Sequence, residues 1–347
     1  MSAVVTLHGD ARARGLGQGL AYPEMAPAVR DAIMMRLAAA TITPRGAAFL
    51  DAQREWTAAQ APEAMAECAG IAGGFGLEPA QVFDFLHLGC LADLAQHPAD
   101  GAPVDTDGCT AFARDGVVAK NRDFRPEHVA LQRVFTQADP SWGGRSVLCL
   151  GSLGAPGAWS SGMNSDGFAL ADTQIATAAH GPGMLRYFLM NRLLSACATV
   201  AEALTMIRAL PHAGGGSLVM ADASGAAASV ELRHGRVDIT QGVVLAHTNH
   251  YEAAPEVLPS VAHSAPRVAA LRAALREDPA REARKLLGMH APVALCRHAP
   301  DPSPTLAGAV WDAVARRAMI ALGPPCCTPW RTFALLPEGW REMHALA

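Results

Sequence analysis

The chain has 347 residues, 50% of them hydrophobic and 17% charged, with a formal net charge of −4. That composition describes a folded globular protein with a sizeable core, in one large domain or two intimate ones. The absence of any basic run or acidic tail argues against nucleic acid as a partner. No apolar stretch approaches the ~18 residues of a membrane span, and the N-terminus lacks an apolar core of signal-peptide length. The expectation is a soluble, cytoplasmic protein with no membrane partner. Eight cysteines (Cys68, Cys90, Cys109, Cys149, Cys197, Cys296, Cys326 and Cys327) are scattered without CxxC spacing. A disulfide framework is not expected, and most of them read as small buried hydrophobes.

In chain order, a short apolar run at 4–7 precedes helices expected over 24–39, 43–72 and 79–95. The first places Met25, Val29, Ile33 and Leu37 at helical spacing. The second is rich in alanine and rests more on propensity. Residues 96–108 are rich in Pro, Gly and Asp and mark a loop or boundary. Beyond Cys109 the pattern changes. Strands are expected at 109–113, 117–120, 131–136, 146–150, 167–172, 217–221, 228–233 and 243–247, then at 308–314, 318–322 and 332–336. Helix pairs fall between them at 183–196 with 199–209 and at 265–276 with 279–287. Strand runs with inserted helix pairs indicate a layered α+β fold rather than an alternating βαβ chain.

The stretch around Cys109 stands out. Asp115-Gly116 is a favoured composition for a two-residue hairpin turn. Folding there pairs Arg114 with Val117 and sets Cys109 opposite Arg122, with Lys120 diagonal on the same face. A one-residue bulge would bring Asp123 opposite Cys109 instead. Either register places charged groups beside the sulfur, and a neighbouring cation favours the nucleophilic thiolate. The ordinary alternative is a packed cysteine at a strand start. Gly108 before it, and Lys120-Asn121 and Asp123 on the return strand, are what favour chemistry.

Asp107-Gly-Cys-Thr110 followed by Asn121-Arg-Asp-Phe124 resembles the acyl-coenzyme A:6-aminopenicillanic acid acyltransferase family of N-terminal nucleophile hydrolases. Gly15-Leu-Gly-Gln-Gly19 is similar to the family's Gly-x-x-x-Gly opening, and Gly162-Met-Asn164-Ser-Asp-Gly167 to its Gly-x-Asn-x-x-Gly turn. His247-Thr-Asn249-His250 is identical to its His-Thr-Asn-His, and Cys296-Arg297 also matches. The resemblance implies a four-layer αββα sandwich with a helical N-terminal segment packed on it. It implies self-cleavage between Gly108 and Cys109 into fragments 1–108 and 109–347, which stay associated as a heterodimer. An internal amide nitrogen cannot accept a proton, whereas a freed α-amine has a pKa of ~7.7–8.0 and is a general base on the nucleophile's own residue. Cys109 would attack the carbonyl of a small-molecule amide or acyl substrate. By resemblance, Asn249 contributes an oxyanion donor, Asp123 orients the amine, and Lys120, Arg122, Asn164, His247 and Arg297 support the substrate or the site. No cofactor is implied. The family's relatives carry Arg or Gln where this chain has Lys120. A late Ser-Arg pair of the acyltransferase aligns with Ser303-Pro304, so penicillin and acyl-CoA do not carry over, and hydrolysis is favoured over acyl transfer.

Other signals are weaker. His247 and His250 follow a strand, so their side chains would point to opposite faces, and no metal is expected there. Gly15-Leu-Gly-Gln-Gly19 follows no Rossmann strand, Gly214–Gly216 reads as a turn, and Cys326-Cys327 lies in a Pro-rich loop. Two other functions remain open: a Cys-His thiol hydrolase pairing Cys109 with His247 or His250 without self-cleavage, and a processed but catalytically silent binding protein.

Overall fold

The structure, a computed structural model, describes residues 4–95, 108–254, 263–278 and 282–343. The expected loop at 96–107 and the start of the helix expected over 279–287 lie outside the described residues. The N-terminal part is a strand, β1 (Val4–His8), followed by helices α1 (Ala11–Ala21), α2 (Ala26–Ala39), α3 (Pro44–Gln60), α4 (Pro62–Phe75), α5 (Pro79–Leu86) and α6 (Leu88–Ala95). α1 is absent from the expected elements, since three glycines in one short segment depress helix propensity. Packing overrides that preference. A Cβ on Gly19 would lie 2.0 Å from the carbonyl oxygen of Gly74, and one on Gly15 2.4 Å from that of Glu67. The Gly15–Gly19 motif is therefore a stripe that lets the α1 backbone touch α4.

The helix expected over 43–72 is in fact two helices. Pro62 has no N–H to continue the ladder, and Ala61 before it leaves the helical region at φ −143°, ψ 54°. The helix expected over 79–95 likewise breaks at His87, whose backbone sits at φ −96°, ψ 4°.

From Cys109 onward the order is β2 (Cys109–Arg114), β3 (Val117–Asp123), β4 (Gln132–Ala138), β5 (Ser146–Ser152), β6 (Ser161–Asn164), β7 (Ala169–Thr173), α7 (Arg186–Ala196), α8 (Val200–Ala209), β8 (Ser217–Ala221), β9 (Ala227–Arg233), β10 (Arg236–Gln241), β11 (Val244–His247), α9 (Ser264–Glu277), α10 (Ala283–Leu287), β12 (Thr305–Asp312), β13 (Arg317–Ala321), β14 (Arg331–Leu336) and β15 (Gly339–Met343). Strands β6, β10 and β15 are additions to the expected set. They form two sheets, ordered β1-β4-β5-β6-β7-β8-β9-β10 and β11-β2-β3-β12-β13-β14-β15. Within the first sheet β1 lies parallel to β4, pairing Val4 with Val134.

Three apolar layers hold four layers of structure together. Between the sheets, Ala111, Ala113 and Val118 of the β2–β3 hairpin meet Leu148, Leu150 and Met163 of the first sheet, around the fully buried Trp311. On the outer face of the first sheet the N-terminal helices share one core with α7 and α8. On the outer face of the second, Phe112, Ala119 and Val310 pack against Leu271, Leu275, Leu286 and Leu287 of α9 and α10. This is the αββα sandwich expected from the sequence. Among the described residues no helix is long and apolar enough to cross a membrane.

Candidate active site

The β2–β3 hairpin adopts the unbulged register: Arg114 pairs with Val117 and Cys109 with Arg122. Asp115 and Gly116 both have positive φ, 52° and 75°, which matches the right-handed strand twist and suits an Asp-Gly pair. Asp123 follows the last paired residue, and its N–H donates to the Gly108 carbonyl at 3.0 Å.

Strand alternation then sorts the side chains. On the inner face, Lys120 pairs with Asp172 of β7, and Arg122 donates to Ser152 of β5 at 2.9 Å. On the outer face, Arg267 of α9 donates to Thr110 Oγ1 at 3.0 Å and to Asp123 Oδ2 at 3.2 Å. Thr305 donates to Asp123 Oδ1 at 2.6 Å, and Arg297 stands 3.7 Å from Oδ2 while its other nitrogens grip Asp301. Gly108 sits against these cations. A Cβ there would meet Arg297 Nη1 at 2.5 Å and Arg267 Nη2 at 3.2 Å, so no side chain fits before Cys109 without displacing a guanidinium.

Asn249 closes the site over the Cys109 backbone. Its carboxamide oxygen accepts the Cys109 N–H at 2.9 Å and also a bond from Arg267, while its nitrogen donates to the Gln174 carbonyl at 2.7 Å. Donors on one side and a carbonyl on the other fix the orientation of the amide. One N–H of the carboxamide is left over.

Burial pushes the Cys109 thiol up, and Lys120 pulls it back without overcoming that effect. In the intact chain the sulfur is a protonated thiol at neutral pH. Burial also raises Asp123, with Arg267 and Arg297 opposing. At Asp172 the balance reverses: burial works against ionisation, but Lys120 and Arg186 outweigh it and hold the carboxyl below its usual range. Arg186 reaches Asp172 Oδ2 at 2.9 Å, so Lys120 belongs to a buried triad and is not a free point charge.

Cys109, Lys120, Arg122, Asp123, Asp172 and Arg186 share one pocket. Its other walls include Phe85, Phe124, Trp159 and Tyr187, and Arg36 of α2 reaches in from the N-terminal helices. The pocket holds about 600 Å³ of space, the open mouth included. Arg36 lies over the Phe124 ring at 5.0 Å, and Arg122 over Phe124 and Trp159 at 5.2 and 5.1 Å.

Asn249 and Arg297 lie against the Gly108–Cys109 segment without lining the pocket, and Asn164 and His247 stand apart from it. Asn164 is on the expected turn, but all its bonding capacity is used locally: it donates to the carbonyls of Leu194 and Cys197 and accepts from the N–H groups of Asp166 and Phe168. His247 faces Glu231 at 3.0 Å through Nε2 and the Thr248 carbonyl at 2.9 Å through Nδ1. With both ring nitrogens committed, it offers Cys109 no base. His250 turns its Nδ1 to Ser264 at 2.7 Å.

Sequence reasoning missed Arg267, Asp172 and Arg186. For Arg267 a signal existed, since it continues the apolar stripe of α9 four residues before Leu271 and eight before Leu275, all buried. For Asp172 and Arg186 there was none, because their partner Lys120 lies in a distant strand.

The family model described as "Acyl-coenzyme A:6-aminopenicillanic acid acyl-transferase" matches residues 110–326, more than half of the chain. No curated protein matches. Among solved structures, a variant of conjugated bile acid hydrolase from Clostridium perfringens aligns with TM-score 0.42 and 11% identity, over 65% of this chain and 96% of that one. Penicillin V acylase from Agrobacterium tumefaciens aligns with TM-score 0.40 and 15% identity, over 68% of this chain and 98% of that one.

Proposed function

The chain belongs to the acyl-coenzyme A:6-aminopenicillanic acid acyltransferase family, and from that premise we propose that it is a self-processing amidohydrolase whose nucleophile is Cys109 as a new N-terminal residue. The observation that carries this is the Gly108–Cys109 peptide itself. Its carbonyl oxygen receives the Asp123 N–H and its nitrogen side is held by Asn249, with the thiol at the wall of the pocket.

Processing begins when the Cys109 sulfur gives up its proton and attacks the Gly108 carbonyl carbon. The Asp123 N–H is already directed at the oxygen that becomes negative. The C–N bond breaks, the nitrogen takes a proton, and a Gly108 thioester remains on Cys109. Water hydrolyses it, leaving a Gly108 carboxylate and a free Cys109 with an α-amine. The absence of a Gly108 side chain supports this step, because the thiol must bend back onto the preceding carbonyl, that of Gly108, among three charged groups.

In turnover the α-amine, with a pKa of ~7.7–8.0, takes the thiol proton and returns it to the leaving amine. Asn249 Oδ1 holds that nitrogen, and the remaining Asn249 N–H is the candidate oxyanion donor. Lys120 lowers the cost of the thiolate. The aromatic walls suit the apolar acyl part of a small N-acyl compound, with Arg36 and Arg122 beside it for polar ends. The two fragments stay together because the N-terminal helices share a core with the first sheet and β1 is hydrogen-bonded to β4.

A Cys-His hydrolase is disfavoured by the commitments of His247 and His250. Hydrolysis is favoured over acyl transfer because transfer needs a bound acceptor amine, whose positioning is worth ~7–11 kcal/mol, and Pro304 supplies neither charge nor N–H for one. A panel of N-acyl amines, β-alanyl amides and β-lactams with a competing free amine tests both points. Free acid is the expected product. Acyl-amine in excess at modest amine concentration shows transfer instead, and no turnover of any amide removes the hydrolase reading.

A further inference from the structure

Cys296 and His298, which flank Arg297 in sequence, meet His290 from the segment after α10 and Cys326 from the β13–β14 connection. Their ligand atoms all lie within 4.8 Å of one another. Cys296 Sγ is 3.6 Å from Cys326 Sγ and 3.6 Å from His298 Nε2, and Cys326 Sγ is 3.2 Å from the same nitrogen. In a tetrahedral zinc site, Zn–S bonds of ~2.3 Å and Zn–N bonds of ~2.0–2.1 Å put sulfurs ~3.8 Å apart and sulfur and nitrogen ~3.5 Å apart. Three edges of such a tetrahedron are therefore nearly in place. The fourth corner falls to His290, whose exposed ring lies 5.2 Å from that of His298.

We propose that His290, Cys296, His298 and Cys326 form a closed Cys2His2 zinc site that pins the segment carrying Arg297 beside Asp123. The backbone supporting the four ligands is well tied. The Met289 carbonyl accepts the N–H groups of Leu295 and Cys296, and the Pro324 carbonyl accepts those of Cys327 and Thr328. Asn121 of β3 donates to the carbonyls of Leu287 and Leu295 at 2.7 and 2.8 Å. Both cysteines are free thiols, and an imidazole nitrogen close to both sulfurs is an arrangement a disulfide has no use for.

Two thiolates with two imidazoles select zinc over magnesium or calcium, which take oxygen ligands. Binding converts both thiols to thiolates, releases their two protons to solvent and takes both histidines as neutral rings. Four protein ligands leave no open position, which makes the role structural. The site lies outside the chemistry proposed for Cys109 and does not depend on it. No spacing in the sequence announces it, because Cys326 comes from a different connection than the other three.

The test uses the untagged full chain, purified under reducing conditions, supplied with zinc and dialysed. Elemental analysis is expected to find about one zinc per chain, lost in Cys296→Ser and in Cys326→Ser and kept in Cys327→Ser. Chelation is expected to lower the Tm of the wild-type chain. Should the ligand variants misfold, cobalt substitution of the wild-type chain decides, with thiolate-to-cobalt charge-transfer bands and a tetrahedral ligand-field spectrum expected. The proposal is overturned if the wild-type chain retains no stoichiometric zinc, if Cys327→Ser loses metal as fully as Cys326→Ser, or if cobalt binds with an octahedral, thiolate-free spectrum.

Discussion

On the inner face of the β2–β3 hairpin, Cys109, Lys120 and Arg122 line the pocket. On the outer face, Thr110, Asn121 and Asp123 bond to Arg267, Thr305 and the backbone around Leu287 and Leu295. Both faces are buried and polar, yet they differ in what the polar groups are doing. The outer set holds α9 and the loop before β12 against the sheet. The inner set borders the pocket, which Asp123 of the outer set also lines from the end of β3. The two meet at the Gly108–Cys109 peptide, whose carbonyl is bonded by the outer-face residue Asp123 while its thiol lies toward the inner face. In the proposed reaction the nucleophile is positioned from behind and used from the front.

That contrast can be broken one face at a time. The largest effect is expected from Cys109→Ala, which should abolish both chain cleavage and turnover while the thermal melt stays close to that of the uncleaved wild-type chain. Residual hydrolysis at a wild-type rate would place the nucleophile elsewhere. On the outer face, Asp123→Ala leaves Arg267 and Arg297 without their shared carboxylate in a buried site. Breaking such a pair costs about 3–5 kcal/mol, so urea unfolding should show a loss of that order, together with lost processing. A variant as stable as wild type would show that Asp123 does not hold the outer network.

Asn249→Ala is expected to slow hydrolysis by on the order of 10²–10³, the usual effect of losing one oxyanion donor. A steady-state kcat within a few-fold of wild type would remove Asn249 from that role. Asn121→Ala strips the Leu287 and Leu295 carbonyls of their donor, and a cost of about 1–3 kcal/mol in stability is expected, with kcat nearly unchanged in whatever fraction folds. Lys120→Met breaks the buried pair with Asp172 and so also lowers stability, but its effect on rate should be the smallest and the most specific. Lys120 lowers the Cys109 thiol, so its removal raises the pKa and should move the ascending limb of the pH–rate profile to higher pH. An unmoved limb would mean that Asp172 and Arg186 already neutralise the cation as far as the sulfur is concerned.

Much of this was legible in the sequence, for identifiable reasons. The turn followed from Asp115-Gly116, which pairs Arg114 with Val117, while the sequence left Arg122 or Asp123 opposite Cys109 and the structure places Arg122 there. The layer order followed from strand runs interrupted by helix pairs. Local signals of this kind survive folding unchanged. What failed was non-local. α1 forms against its own propensity because α4 offers glycines of its own at the contact. Asp172 joins Lys120 across the two sheets. Asn164 looked like a site residue from its motif, yet its role in the structure is to hold a turn to the end of α7, a contact no spacing reveals.

The bond between Gly108 and Cys109 decides whether Cys109 works as an N-terminal residue. Protein purified in an active state should be analysed by intact mass and N-terminal sequencing. The result predicted is two tightly associated fragments, 1–108 and 109–347, with the second reading Cys-Thr-Ala-Phe from its first cycle. A preparation that turns over an N-acyl substrate while remaining a single uncleaved chain would contradict it.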